Sequence, residues 1–171
     1  MITIIGNGSS ALGKGLGGDL DKMSLIVRLN KFELKGFEKD LGSSTDLHIL
    51  NSQALIPYAE KKTPPCSDVR FFRHGQDNPD TFFREIDMRF KHLCKTMLGG
   101  TRASIGFVAI IYALTSLSQA DEQVAYLNFD WGKTGHYWEK NHRHSPVHDM
   151  KKEKEFLHQL GKEMKGRLIQ L

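Results

Sequence analysis

Cysteine is scarce in this chain: Cys66 and Cys94 are the only two in 171 residues. Two cysteines make no disulfide framework, and without a Cys-x-x-Cys pair a structural zinc site is disfavoured. Both are expected as free thiols in a reducing compartment. The chain opens Met1-Ile2-Thr3-Ile4-Ile5-Gly6, with no basic leader and no apolar signal core. No stretch reaches the ~18 uninterrupted apolar residues of a membrane span. A soluble, cytoplasmic protein is expected, peripheral at most to the inner membrane face. Repeats and low-complexity tracts are absent. The turn at 6–10 fits neither a Walker A loop nor a G-x-G-x-x-G fingerprint, Asp130 lacks the partner acid of the D-x-D pair of metal-dependent sugar-nucleotide enzymes, and no basic helix or aromatic-basic repeat occurs. The last absence argues against nucleic acid as a partner.

What remains is an ordinary globular composition, 39% hydrophobic and 26% charged, in a length that suits one domain over residues 1–171. The net charge of +4 suits an anionic substrate, and equally serves solubility alone. Residues 2–5 form a short β-branched run that stops at Gly6-Asn7-Gly8-Ser9-Ser10. Further strands are predicted at 24–30, 46–50, 68–72 and 123–129. The glycines at 13, 15, 17 and 18 weaken any helix between the first two, and Thr63-Pro64-Pro65 breaks the chain. Helices are predicted over 81–98 (Phe82, Ile86, Phe90, Leu93, Met97), over 105–117 capped by Ser104, and from Asp149 along the stripe Leu157, Leu160, Met164, Leu168 and Leu171. The polar, histidine-rich segment 130–147 reads as loop. Strands alternating with helices imply an α/β fold, Rossmann-like, with a mostly parallel twisted sheet and helices on both faces.

Ligands of open α/β sheets bind at the carboxyl ends of the strands. The turn at 6–10 lies there, although on local grounds a plain strand exit explains it equally well. Its wider context is more specific. Ile4-Ile5-Gly6-Asn7, then Gly18-Asp19-Leu20-Asp21, Val27-Arg28-Leu29-Asn30 and Gly36-Phe37-Glu38-Lys39-Asp40-Leu41-Gly42-Ser43-Ser44-Thr45, resemble in order and spacing the large sialyl motif of animal-type sialyltransferases. Ala103-Ser104-Ile105-Gly106 with Asp121-Glu122-Gln123-Val124 resembles the small motif. His136-Tyr137-Trp138-Glu139 resembles the H-Y-x-E element, and His148 with Glu153 the terminal H-x-x-x-x-E element.

The resemblance implies a sialyltransferase-like variant of the GT-A fold. It implies an inverting glycosyltransferase that moves sialic acid, or a related acidic keto-sugar, from a CMP-activated donor to an acceptor hydroxyl. Neither metal nor other cofactor is implied; the CMP-sugar is substrate, and the acceptor is a glycan or lipid-linked saccharide. His148 matches the catalytic base, a role that suits a side chain titrating near neutrality, and His136 the histidine at the donor phosphate. Asn7, Gly8, Ser9, Asn30, Ser104, Ile105, Gly106 and Asn128 are assigned to the nucleotide, with Tyr137 and Glu153 in support. Asn7, Asn30, Ser104 and Gly106 are expected to line one cleft.

The pattern departs from the family in places. Ile2 and Ala120 stand where the family carries its paired cysteines, with apolar packing expected in place of the bridge. Ile105 stands for a threonine. The chain is shorter than animal catalytic domains and lacks their anchor, which suggests a compact bacterial or viral member with trimmed acceptor loops. CMP-Kdo is an alternative donor, and a nucleotide-binding module without transfer activity an alternative function. A metal cluster of His142, His144 and His148, or a lone metal carboxylate at Asp130, is the weaker reading of those residues.

Overall fold

The computed structural model describes residues 1–51, 66–72, 84–139 and 147–171. Within them, seven strands form one sheet: β1 (Ile2–Ile5), β2 (Leu25–Leu29), β3 (Leu47–Asn51), β4 (Asp68–Phe72), β5 (Arg84–Ile86), β6 (Val124–Leu127) and β7 (Leu168–Gln170). Their order is β5-β4-β3-β2-β1-β6-β7, and every pairing is parallel. The chain steps outward from β1 through β5 and then returns to lay β6 on the other side of β1. The order therefore reverses between β1 and β6, the point at which a parallel sheet opens a crevice above its carboxyl ends.

The strands are apolar on both sides because both faces are covered. Ile2 and Ile4 of β1 turn to the same side as Val27, Leu29, Leu47 and Ile49, against Phe107, Val108 and Leu157. That face carries the helices α3 (Met88–Met97), α4 (Ile105–Tyr112) and α5 (Met150–Glu163). Ile5, Ile26 and Leu127 turn the other way, onto Leu20 and Leu41 of two single-turn helices, α1 (Gly17–Leu20) and α2 (Glu38–Leu41). Each longer helix begins on a side-chain cap. Asp87 accepts from the Arg89 N–H, Ser104 from the Phe107 N–H and Asp149 from the Lys152 N–H.

The large-motif residues tie that second face together. Arg28 on β2 is 1% exposed and donates to the Leu41 carbonyl at 2.7 Å, the Ser44 carbonyl at 3.0 Å and Thr45 Oγ1 at 3.1 Å. Asp40 accepts from the Gly13 and Gly15 N–H groups at 2.8 and 2.7 Å. Asp21 accepts from the N–H groups of Ser43 and Ser44. A Cβ on Gly17 would lie 1.9 Å from the Glu38 carbonyl oxygen, so α1 and α2 pack together only through a glycine.

Four sequence expectations need correction. The helix expected over 81–98 starts at Met88; Arg84–Ile86 is instead the edge strand β5, and Asp87 ends it by capping α3. The last helix ends at Glu163, because Lys165 and Gly166 both take positive φ (48° and 87°) and turn the chain into β7. Leu168 is buried there from a strand, and Leu171 is exposed. The helix from Ile105 continues beyond Tyr112 only as a π-helical turn, Ala113–Leu117. Ile2 is buried as expected, but Ala120 is exposed in the turn before β6, so Ile2 alone supplies apolar packing there. Cys66 and Cys94 are free. Thr63-Pro64-Pro65, Thr81, Phe82, His142 and His144 lie outside the described residues. Among the described residues no helix is long and apolar enough to cross a membrane.

Candidate active site

At the reversal point the loops after β1, β2 and β6 and the start of α4 enclose one cleft, lined among others by Asn7, Asn30, Ser104, Gly106, Asn128 and His136. The turn after β1 is shaped by β6. Asn128, buried and at φ 64°, accepts from the Ala11 N–H at 2.9 Å and donates to the carbonyls of Gly6 and Gly8. Asp130 accepts from the N–H and hydroxyl of Ser9, the Ser10 N–H and the Thr134 hydroxyl. Burial opposes its ionisation, but these donors outweigh it and hold the carboxyl below its ordinary value. Asp130 is thus committed to the loop. Ser9 faces Asp130 and does not line the cleft, whereas Gly6, Asn7 and Gly8 before it do.

Two glycines are required by close approach rather than by flexibility. A Cβ on Gly8 would come within 2.4 Å of Asp130 Cγ, and one on Gly106 within 2.5 Å of Phe129 Cε1. Phe129 also abuts Gly6, where a Cβ would meet its ring at 2.8 Å. A Gly106→Ala variant is expected to push the Phe129 ring into the cleft. Stability should be lowered by about 1–3 kcal/mol, as for overpacking elsewhere, and a thermal melt would show it.

Asn7 donates to the carbonyls of Leu29 and Lys31, both at 3.1 Å, and so fixes the exit of β2 against the exit of β1. Asn30 sits at φ 48° in the left-handed region that asparagine tolerates. Its Oδ1 accepts from the Asn51 N–H at 2.9 Å. Tyr137 clamps the aromatic loop: its N–H donates to the Asn7 carbonyl at 3.0 Å and its hydroxyl binds the backbone of Glu33. That leaves His136 on the cleft wall, stacked on Trp138 with ring centroids 4.6 Å apart and Nδ1 3.4 Å from Glu139 Oε2.

The opposite wall is the N-terminus of α4, where Ser104, Ile105 and Gly106 line the cleft. Ile105 and Gly106 occupy the first two helical positions, whose N–H groups have no acceptor inside the helix. Helix termini of this kind favour anions. Ser104 is held from 49 residues away: Glu153 of α5, 0% exposed, accepts from its N–H and its hydroxyl, both at 2.6 Å.

His148 lies beside this wall. It does not line the cleft; Met150, two residues on, does. Its Nδ1 is 3.0 Å from the carbonyl oxygen of Arg102, two residues before Ser104. A carbonyl only accepts, so Nδ1 carries the proton and Nε2 keeps its lone pair. Burial is the main cause that holds His148 below the ordinary histidine value, and the charges of Arg102 and Lys91 add to it against the Arg102 hydrogen bond. A neutral imidazole with a fixed tautomer can accept a proton at neutral pH.

The structure thus gathers Asn7, Gly8, Asn30, Ser104, Ile105, Gly106, Asn128, His136 and Glu153 around one cleft, with Tyr137 behind it and His148 at its edge. Sequence reasoning missed Phe129, Trp131 and Met150, which line the cleft, and the tether from Glu153 to Ser104. Among the described residues no three His, Cys, Asp or Glu side chains converge as metal ligands.

The model of glycosyltransferase family 29 (sialyltransferase) matches residues 3–78 and 77–165. Over 58 residues the chain is 41% identical to a CMP-N-acetylneuraminate-beta-1,4-galactoside alpha-2,3-sialyltransferase of Homo sapiens, covering 34% of this chain and 16% of that protein. It is 24% identical over 194 residues to the CMP-N-acetylneuraminate-beta-galactosamide-alpha-2,3-sialyltransferase 2 of Mus musculus, covering 95% of this chain and 54% of the relative. The chain therefore spans about half the length of the mouse protein. Among solved structures it superposes on a mammalian sialyltransferase in complex with Gal-beta-1-3GalNAc-ortho-nitrophenol, with a TM-score of 0.73 and 16% identity, covering 99% of this chain and 68% of that one. A likeness at that identity speaks for the fold.

Proposed function

The chain belongs to glycosyltransferase family 29, and from that premise we propose that it transfers sialic acid from a CMP-activated donor to an acceptor hydroxyl, inverting the anomeric centre without a metal. The observation that carries the reading is His148: its Nδ1–H is fixed on the Arg102 carbonyl, beside the helix start that lines the cleft. In the proposed step the acceptor hydroxyl attacks the anomeric carbon as its proton passes to His148 Nε2. The new carbon–oxygen bond forms while the bond to phosphate oxygen breaks, and CMP leaves. The leaving phosphate is met by His136 and by the N-terminus of α4, where fixed dipoles stabilise the developing charge. Asn7, Gly8, Asn30, Ser104, Gly106 and Asn128 hold the nucleotide, with Ser9 keeping the first loop closed on Asp130.

A pH profile tests the assignment. The group that must be deprotonated is a histidine held below its ordinary value of 6.5. Activity should rise with pH through an apparent pKa below 6.5 and stay flat above it. An acid limb centred clearly above 7 would contradict the assignment of His148 as a half-buried neutral base. EDTA should leave turnover unchanged; loss on chelation with rescue by Mg²⁺ or Mn²⁺ would make the transfer metal-assisted.

A further inference from the structure

His48 is a buried imidazole that the proposed reaction does not use. It lies on β3, 0% exposed, in register with Arg28 of β2. Its Nε2 is 2.5 Å from the carbonyl oxygen of Asn30. A carbonyl only accepts, so Nε2 carries the proton. Burial outweighs that hydrogen bond and pushes the His48 pKa down to about 4, so the ring is neutral at neutral pH with its donor on Nε2. Phe32 stands edge-on to the imidazole, with ring centroids 5.0 Å apart at 81°, and the Arg28 guanidinium lies 5.5 Å from the Phe32 centroid. The ring is therefore held in place by packing as well as by its hydrogen bond.

Burying a polar ring costs free energy that a valine or isoleucine in the same strand would not. What the histidine adds is an N–H delivered to Asn30, and the rest of β3 serves the same residue. The Asn30 N–H donates to the Ile49 carbonyl at 2.9 Å, and Asn30 Oδ1 accepts from the Asn51 N–H at 2.9 Å. His48, Ile49 and Asn51 thus all hold one asparagine. Asn7 adds to the grip by donating to the carbonyls on either side, those of Leu29 and Lys31. Asn30 is kept at φ 48°, a conformation that needs such support in a residue with a side chain. With Oδ1 spent on Asn51, the Nδ2 amide has no acceptor among the described residues. Asn30 lines the cleft, and no residue of β3 does.

We propose that His48 is a positioning residue for the nucleotide: by donating to the Asn30 carbonyl it fixes the peptide whose side-chain amide meets the CMP moiety. The inference rests on the reading of this cleft as the nucleotide site. The carbonyl and the side chain of Asn30 branch from one Cα, so fixing the carbonyl fixes the direction in which the amide leaves the backbone. A donor aimed before the ligand arrives need not be ordered on binding, and affinity gains by that saving. His48 touches no ligand and acts through Asn30. Its effect therefore belongs in nucleotide affinity and donor KM, with kcat left close to wild type.

Calorimetry with CMP, beside thermal melts and donor kinetics, compares three replacements. His48→Phe keeps a ring and removes the donor. Its CMP affinity should fall by roughly tenfold, the effect of about one hydrogen bond, and donor KM should rise by the same factor. His48→Gln carries its amide nitrogen as many bonds from Cβ as Nε2 lies, and should bind CMP nearly as wild type does. His48→Asn reaches only as far as Nδ1 and should not recover the loss. In an Asn30→Ala background His48→Phe should cost little further affinity, because the residue it acts through is gone. A His48→Phe variant with wild-type CMP affinity overturns the inference and leaves the transferase reading standing. So does a glutamine variant no better than phenylalanine, or an equal loss in the Asn30→Ala background, either of which would make His48 a core residue without a link to Asn30. Should His48→Phe not fold, glutamine against asparagine decides, and equal affinities overturn the inference. Wild type that binds no CMP would refute the transferase reading itself, and this inference with it.

Discussion

Replacing His148 by alanine should lower transfer by roughly 10²–10⁴, the range a positioned general base contributes, while CMP binding stays close to wild type. The separation follows from where the ring sits. His148 does not line the nucleotide cleft and its one fixed contact is the Arg102 carbonyl, so its loss removes no nucleotide partner. The Arg102 carbonyl is near the surface and can turn to water, which keeps the structural penalty small. His136→Ala should behave differently. Its ring is part of the cleft wall, so both CMP affinity and turnover should fall. Calorimetry with CMP, and CMP release from CMP-sialic acid, separate the two variants. A His148→Ala enzyme with full transfer activity would refute the base; a variant that lost CMP binding and kept residual turnover would exchange the two roles.

The largest effect on stability is expected at Glu153. Its carboxylate is fully buried and accepts both polar hydrogens of Ser104. Glu153→Ala would strand two part-buried donors, each at up to roughly 1–3 kcal/mol, a noticeable share of the ~5–15 kcal/mol that holds an ordinary domain together. CMP binding should weaken too, because Ser104 and the start of α4 form one wall of the cleft. The titration of Glu153 adds a signature. Burial raises its pKa above the ordinary glutamate value, and the Ser104 hydrogen bonds oppose that shift without cancelling it. The native state therefore holds the proton more tightly than the unfolded chain. This group's contribution is fully present below the ordinary value of 4.5 and is lost as pH rises through the raised native value. Thermal melts of wild type should fall across that window, and Glu153→Gln, which cannot ionise, should flatten the fall. An alanine variant as stable as wild type, or a pH slope identical in the glutamine variant, would contradict this account of the tether.

Much of the sheet was legible because its signals are local. β1 and β6 are short buried runs ending in turn residues, and Ser104 before an apolar helix is a cap that the structure uses as such. The two strands that were missed carry misleading periodicity. Leu157, Leu160, Met164 and Leu168 keep a helical spacing across a break that only Lys165 and Gly166, at positive φ, disclose. Gly166 directly after Lys165, with Lys162 in the last turn, was the available sign of a helix end. Arg84–Ile86 is three residues long and turns only Ile86 inward, too little for an alternating pattern to register.

The candidate site divides in the same way. Residues at strand exits, such as Asn7 and Asn30, were found from order and spacing, and they line the same cleft. What spacing could not supply was tertiary partnership. Asp130 spends its carboxylate on Ser9, Ser10 and Thr134 because β6 ends opposite the β1 turn. Glu153 reaches Ser104 because α5 packs beside α4. Neither fact depends on separation along the chain. The orientation of α3 was hidden for a related reason: the helix was expected to begin seven residues earlier, and the stripe chosen for it ran through Phe90, Leu93 and Met97. Leu93 is 46% exposed.

The central claim is sialyl transfer from a CMP-activated donor without a metal. Its most direct test is to incubate the purified protein with CMP-sialic acid and a panel of galactosides in EDTA, then follow acceptor mass and free CMP together. The account predicts an acceptor heavier by one sialyl residue, one CMP released per transfer, and loss of both on His148→Ala. Absence of both products with every acceptor, or their appearance only after Mg²⁺ or Mn²⁺ is restored, would contradict it.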